Sequence, residues 1–287
     1  MNQENTARLD ELNRLSDQFE SATPQEILRW AMLTYRDKLT MSTAFGAHGC
    51  ALIAMIAELR EETGVTPDLF NIDTGYQFLE TLELREDMQA RYGIPIRLVR
   101  ANETAKQMET RLGGPIYGGN PDLCCYLRKV LPMRTAVQGF DAWISAISRD
   151  QTPERAALPI IGTDPKFSHL VKISPLANWT KDQVWEYIRA NDVPTNPLHE
   201  QGYPSIGCWP CTKPVAEGED DRAGRWAGLE KRECGLHLGE DGKLQRVASQ
   251  VASQPVAPQT AAPQHTTPER PGPQPIRLVM SPMSKVA

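Results

Sequence analysis

The chain has no apolar run approaching the roughly 18 residues that a membrane span requires, so no membrane-crossing helix is expected among its 287 residues. Its first residues, Met1-Asn2-Gln3-Glu4-Asn5-Thr6-Ala7-Arg8, contain no apolar stretch of the secretory kind, and a cytoplasmic setting is expected. There is no excess of basic charge either. The net charge is −5, and residues 243–287 hold five basic residues against Glu269 alone, which leaves about −9 on the remainder. An acidic body argues against a nucleic-acid-binding surface. Internal repeats are absent, and no Gly-Lys-Ser/Thr ending of a Walker A loop occurs.

What the chain does have is cysteine in an uneven pattern. Cys124 and Cys125 are adjacent, and Cys208-Trp209-Pro210-Cys211 forms a second tight pair. In a reducing compartment, paired cysteines bind metal or do redox work more often than they form structural disulfides. Four thiols in two pairs suit an iron–sulfur or a zinc site. Cys234 stands apart, preceded by Lys231 and Arg232 and followed by His237. Nearby positive charge favours the thiolate, which is the nucleophilic form. Cys50 lies in an apolar stretch and reads as an inert core residue.

Secondary-structure signals place these residues. Thr23-Pro24-Gln25-Glu26 is a capping box that starts a helix at 27–35. Leu39–Thr43 reads as a buried strand running into the glycine-containing loop Thr43–Gly49, with a helix from Cys50 to about Glu62. Further strands are expected at 68–72, 96–99, 141–146 and 171–176, with helices at 78–92 and 184–191, the last capped by Thr180 with Gln183. Strands alternating with helices predict an α/β fold, a doubly wound, mostly parallel sheet with helices on both faces. Ligands in such sheets sit beyond the carboxyl ends of the strands. Thr43, Phe45 and Gly46 after the first strand, and Asp73 and Gly75 after the second, are therefore candidate ligand contacts. Arg222 and Arg225 have the spacing to grip a phosphate or sulfate. From about Ala248 the chain is rich in proline, with seven prolines between Pro255 and Pro275 spread among Gln, Ala and Thr, a composition expected to remain disordered.

Taken together, Cys124-Cys125-x-x-x-Lys129, Cys208-x-x-Cys211, Arg222-x-x-Arg225-Trp226 and Glu233-Cys234-Gly235-Leu236-His237 resemble the assimilatory adenylyl-sulfate (APS) reductases. These enzymes belong with the phosphoadenylyl-sulfate (PAPS) reductases. The resemblance runs from about Lys38 to His237 and includes Asp73–Thr81 and Arg149–Pro153. It implies an adenine-nucleotide hydrolase-like fold related to the PP-loop ATP pyrophosphatases. It also implies a [4Fe–4S] cluster on Cys124, Cys125, Cys208 and Cys211, and Cys234 as the nucleophile. Lys129, Arg149, Arg222, Arg225 and His237 are then expected at the substrate anion, and thioredoxin or glutaredoxin as the electron donor. A homo-oligomer is compatible with this reading. Residues 1–242 would form the catalytic domain, with 212–242 as a mobile arm carrying Cys234, and 243–287 would be the tail.

Two places in the chain depart from the family pattern. The loop commonly reads Ser-Phe-Gly-Ala-Glu-Asp, where this chain has Ala44-Phe45-Gly46-Ala47-His48-Gly49, and Ser148 stands where a second arginine often precedes Arg149. Three alternatives stay open at this level. PAPS differs from APS by one 3′-phosphate. A PP-loop enzyme that thiolates tRNA would carry Ser-Gly-Gly-x-Asp-Ser, which this chain lacks. A zinc-ribbon interaction module could use the same four thiols.

Overall fold

A computed structural model describes residues 3–229 and 231; Cys234, His237 and the Pro-rich tail lie outside the described residues. Six strands form one sheet: β1 Leu39–Thr43, β2 Asp68–Asp73, β3 Ile96–Arg100, β4 Ala142–Ile144, β5 Ile161–Thr163 and β6 Val171–Ile173. Their spatial order is β3-β2-β1-β4-β6-β5. All neighbours are parallel except β5, which pairs antiparallel with β6 at the edge. The order reverses between β1 and β4, where parallel strands send their connections to opposite faces and a crevice opens at their carboxyl ends.

Helices cover both faces. Helix α1 spans Gln3–Gln18, α2 Pro24–Tyr35, α3 Ala47–Thr63, α4 Leu79–Tyr92 and α8 Lys181–Ala190. The larger apolar cluster joins α2, α3, α4 and α8 to one side of the sheet through Leu28, Met32, Ile53, Met88 and Val184. On the other face Phe70 and Ile72 of β2 and Trp143 of β4 pack with Met133 and Val137. Alternate residues of β2 thus serve opposite faces, as period-2 side-chain geometry requires. Between β3 and β4 lie α5, Ala105–Leu112, and a continuous helical run of α6, Pro121–Cys125, a π-helical stretch Tyr126–Val130, and α7, Leu131–Ala136. Among the described residues no helix is long and apolar enough to cross a membrane.

Local signals placed most of these elements. Both capping boxes form: the Thr23 and Thr180 hydroxyls accept from the amides of Glu26 and Gln183. Three differences matter. Helix α3 starts at Ala47, three residues before Cys50, because extended Gly46 takes the N-cap position; the turn shrinks to Ala44–Gly46. β5 is an extra strand, only three residues long with Gly162 at its centre, and so short a run carries little alternation. The Cys124–Cys125 pair lies on a short helix, where the sequence signals place no element.

Trp143 links the two halves of the sheet. Its indole N–H donates to Ser42 Oγ at 2.9 Å across the β1–β4 seam, and its ring meets Phe167 edge-on at 5.8 Å. Trp143→Phe is expected to cost on the order of 1 kcal/mol, the net worth of one hydrogen bond. Trp143→Ala is expected to cost about 3–5 kcal/mol through the cavity it leaves, both read from denaturant midpoints.

Candidate active site

The crevice at the β1–β4 switch point is a cavity of about 400 Å³. Its floor comes from the ends of β1, β2 and β4 (Thr43, Asn71, Ser145), and its far wall from Lys129, Cys208 and Arg225. The turn after β1 is shaped by two contacts. Thr43 Oγ1 accepts the Phe45 amide at 3.0 Å, which stabilises Phe45 at a left-handed φ of 56°. A Cβ on Gly49 would lie 2.7 Å from Thr43 Oγ1, so the first turn of α3 approaches the strand end only because residue 49 is glycine. The N-terminus of this 17-residue helix faces the cavity through Gly46, Ala47 and His48, an arrangement that favours an anion.

The two departures from the family pattern touch each other. His48 Nε2 and Ser148 Oγ are 2.9 Å apart. The Ser148 hydroxyl donates to Asp150 Oδ1 at 2.5 Å, and Asp150 Oδ2 accepts the Lys181 amide at 2.6 Å. Burial pushes the His48 imidazole down to about 4, Asp150 opposing and Arg155 reinforcing the shift. The ring is therefore neutral at neutral pH, and this wall adds no charge from His48.

Two cysteine pairs converge beside the cavity. Cys124, Cys125, Cys208 and Cys211 line one small pocket with Tyr76, Lys129, Arg225 and Trp226. The π-helical turn, wider than an α-turn, sets Lys129 on the same side as the Cys124–Cys125 pair. The second pair is docked on the turn after β2. Trp209 N–H donates to Tyr76 O at 2.8 Å, Gln77 and Cys208 form an antiparallel bridge, and Thr74 Oγ1 lies 3.3 Å from Cys208 Sγ. Buried Arg128 holds the same turn from the other side, its Nε donating to Thr74 O at 2.7 Å and its Nη1 to Glu103 O at 2.5 Å.

All four of these thiols are free of disulfides. Burial, then Cys125, Cys208 and Cys211, pushes Cys124 up to about 12. Cys211 is raised by burial and Cys208, against the pull of Lys129, Arg225 and Lys231. Four crowded thiols, of which Cys124 and Cys211 resist losing their protons, ringed by three cations, fit a group that replaces thiol protons with metal and carries net negative charge. Among the described residues no three Cys, His, Asp or Glu groups come together tightly enough to hold one metal ion. A single zinc would need its sulfurs at about 2.3 Å from one centre. A cubane takes each thiolate on a different iron and so accepts wider spacing. Cys50, fully buried in α3 with its thiol pushed up to about 12 by burial, is a core residue as expected.

Arg225 joins cavity and thiol pocket. Its Nη1 donates to Ser205 Oγ at 3.2 Å and Ile206 O at 3.4 Å, and its guanidinium stacks 4.6 Å from the Trp226 ring. A Cβ on Gly207 would meet Arg225 Nη2 at 2.3 Å, so residue 207 has to be glycine for the arginine to lie there.

Of the residues expected at a ligand, the structure brings Thr43, Gly46, Lys129, Arg222 and Arg225 to the cavity. Four others go elsewhere. Phe45 is buried in the core. Asp73 accepts the Gly75 amide at 2.9 Å and pairs with Arg100 at 2.9 Å. Gly75, at φ 77°, packs against Ala105 and Arg128. Arg149 is turned to the far side, paired with Glu20 at 2.6 Å; Arg155, six residues on, faces the cavity instead. Gly224 packs closely on the backbone, since a Cβ there would lie 2.1 Å from Lys213 O. Sequence reasoning missed Asn71 and Ser145. Asn71 Nδ2 donates to Thr43 O at 2.8 Å, and the buried Asn71 Oδ1 and Ser145 Oγ have no hydrogen-bond partner. A polar residue set between apolar neighbours, Phe70-Asn71-Ile72 and Ile144-Ser145-Ala146, was the available signal.

Comparison with known proteins follows the same lines. The family model for the phosphoadenosine phosphosulfate reductase domain matches residues 38–214. The adenosine 5'-phosphosulfate reductase 2 of Bacillus subtilis (strain 168) is 44% identical over 213 residues, covering 74% of this chain and 88% of that one. The phosphoadenosine 5'-phosphosulfate reductase of Gloeobacter violaceus is 40% identical over 229 residues, covering 79% and 93%. The crystal structure of phosphoadenylyl-sulfate (PAPS) reductase from Candida auris in a phosphate complex superposes with a TM-score of 0.61 at 33% identity, over 73% of this chain and 96% of that one. The chain therefore belongs to the phosphoadenosine phosphosulfate reductase domain family. It is an oxidoreductase of sulfate assimilation.

Ser145→Ala removes a buried hydroxyl that has no partner, which relieves an unpaired group whose burial typically costs about 1–3 kcal/mol. Thermal stability is expected to stay level or rise while AMP binding weakens, measured by melting curves and calorimetric titration on the same preparation.

Proposed function

We propose that the chain reduces adenylyl sulfate to sulfite and AMP. One observation carries the reading: the switch-point cavity and the four-thiol pocket share a wall made of Cys208, Lys129 and Arg225. A nucleotide held at the strand ends would thus present its far anion to cations that also face the thiols. Thr43, Gly46 and the α3 N-terminus would hold the phosphate, and Asn71 and Ser145 have unused polar atoms for the nucleoside. Lys129, Arg222 and Arg225 would neutralise the sulfate.

In the first stage the Cys234 thiolate attacks the sulfate sulfur, the phosphate–oxygen–sulfur link breaks at sulfur, and AMP leaves with the bonding pair. The enzyme retains an S-sulfocysteine. In the second stage one thiol of a dithiol protein, thioredoxin or glutaredoxin, attacks Cys234 Sγ and expels sulfite; its second thiol then resolves the mixed disulfide. The donor loses two electrons and the Cys234 thiol is restored. Such a donor belongs to a reducing cytoplasm. His237, three residues after Cys234, remains a candidate for the substrate anion. Cys124, Cys125, Cys208 and Cys211 would hold the [4Fe–4S] cluster, which when bound supplies fixed negative charge and position beside Lys129 rather than electrons.

Cys234→Ser is expected to abolish sulfite release from APS in the presence of a dithiol while leaving AMP binding intact; continued release would show the nucleophile to be elsewhere. Cys208→Ser is expected to lose both brown absorbance and turnover, and turnover without absorbance would make the cluster dispensable. The family members named above include reductases of both nucleotides, so initial rates on APS and PAPS are compared in the same assay, with APS expected to be faster.

A further inference from the structure

We infer that His48 reads the sugar of the bound nucleotide: its Nδ1 accepts a hydrogen bond from a ribose hydroxyl, and Ser148 and Asp150 fix the imidazole in the tautomer that leaves this nitrogen bare. The inference rests on the reading of the switch-point cavity as an adenosine-nucleotide site and names a contact within it.

The tautomer follows from a count of protons. Ser148 Oγ carries one proton, and that proton goes to Asp150 Oδ1. Asp150 Oδ2 accepts the Lys181 amide, so both carboxylate oxygens act as acceptors. Toward the imidazole, 2.9 Å away, Ser148 Oγ can then only accept, and His48 Nε2 is the donor. A neutral imidazole carries a single N–H. The ring is neutral because burial disfavours its charged form; Arg155 adds to that effect and Asp150 opposes it. Nδ1 is left with a lone pair and no proton. The lock belongs to the packed wall: Ser148 is fully buried, and its own amide donates to Gln151 Oε1 at 3.3 Å.

The bare nitrogen opens into the cavity. His48 lines the cavity, while Ser148 lies buried at the opposite edge of the ring. Nδ1 makes no hydrogen bond with the described residues, and it is not shut off from solvent as Asn71 Oδ1 and Ser145 Oγ are. His48 is the second residue of α3, a helix whose first turn no side chain caps. The open amides of that turn would take the 5′-phosphate. The group joined to this phosphate through one methylene is the ribose, and the base lies farther off. A ribose hydroxyl supplies the proton that a bare nitrogen needs; an ionised phosphate in its place supplies none. Ser148 and Asp150 are positioning residues in this account, acting through the ring.

The test uses the full chain, cluster-loaded and handled anaerobically. AMP, 2′-deoxy-AMP and 3′-deoxy-AMP are titrated calorimetrically into wild type, His48→Phe, His48→Asn and Ser148→Ala. One hydrogen bond is worth about 3- to 10-fold in affinity. Wild type is expected to lose that factor on one of the two deoxynucleotides, which identifies the hydroxyl. If it is the 3′-hydroxyl, the same nitrogen favours APS over PAPS. His48→Phe keeps a ring without nitrogen and is expected to bind AMP more weakly by the same factor, with no further loss on that deoxynucleotide. His48→Asn, whose carbonyl can stand in for Nδ1, is expected to restore the distinction. Nitrogen NMR of histidine-labelled protein is expected to show His48 protonated at Nε2 alone. Ser148→Ala is expected to mix the tautomers and shrink the distinction between nucleotides. Equal affinity of wild type for AMP and both deoxynucleotides overturns the inference. So does an unchanged ratio of AMP to deoxynucleotide affinity in His48→Phe, or a proton on Nδ1 in wild type. If wild type does not bind AMP at all, the reading of the cavity as a nucleotide site fails and the contact falls with it.

Discussion

The site depends on how one turn docks on another. The amide of Trp209 reaches the carbonyl of Tyr76, and Cys208 pairs with Gln77 as a short antiparallel bridge. Residues more than 130 apart in the chain are thereby joined at the carboxyl end of β2. From that joint the Cys208–Cys211 pair faces the Cys124–Cys125 pair, whose helix is tied to the same turn through Arg128. Without the joint the four thiols would not share a pocket, and Cys208 would not form part of the wall of the cavity at the β1–β4 switch point.

Electrostatics then gives the two cavities different characters along their common wall. The thiol pocket is buried, and burial together with the neighbouring thiols raises the proton affinity of Cys124 and Cys211. Lys129, Arg225 and Lys231 oppose that rise at Cys211. A bound cluster would be anionic and would be countered by these same cations. On the nucleotide side Lys129 and Arg225 are the groups that a phosphosulfate would meet. In the proposed reading the cations would serve two anions at once, which would tie the cluster to the substrate without requiring electrons to pass between them.

Much of the fold is legible in the sequence because its signals are local. Capping boxes at Thr23 and Thr180 fix two helix starts within three residues, and the short buried strand expected at Leu39–Thr43 coincides with β1. β5 is not legible: three residues around a glycine become a strand only because β6 offers an edge. Site residues follow the same division. Motif spacing identified both thiol pairs and the arginines of residues 222–225, but adjacency misled for Arg149 and Asp73. A short helical turn sends Arg149 to Glu20 while Arg155 reaches the cavity, and an Asx turn with Arg100 uses up Asp73. The contact between His48 and Ser148 joins two departures a hundred residues apart that the sequence presents as unrelated.

The central claim is that these four thiols hold an iron–sulfur cluster on which the reductase site depends. Its most direct test is anaerobic purification of the full chain, with iron, zinc and acid-labile sulfide quantified beside sulfite released from APS in the presence of a dithiol protein. The account predicts about four irons and four sulfides per chain, the composition of a cubane, with sulfite release falling in proportion as iron is removed. One zinc per chain without sulfide, or undiminished sulfite release from iron-free protein, would contradict it.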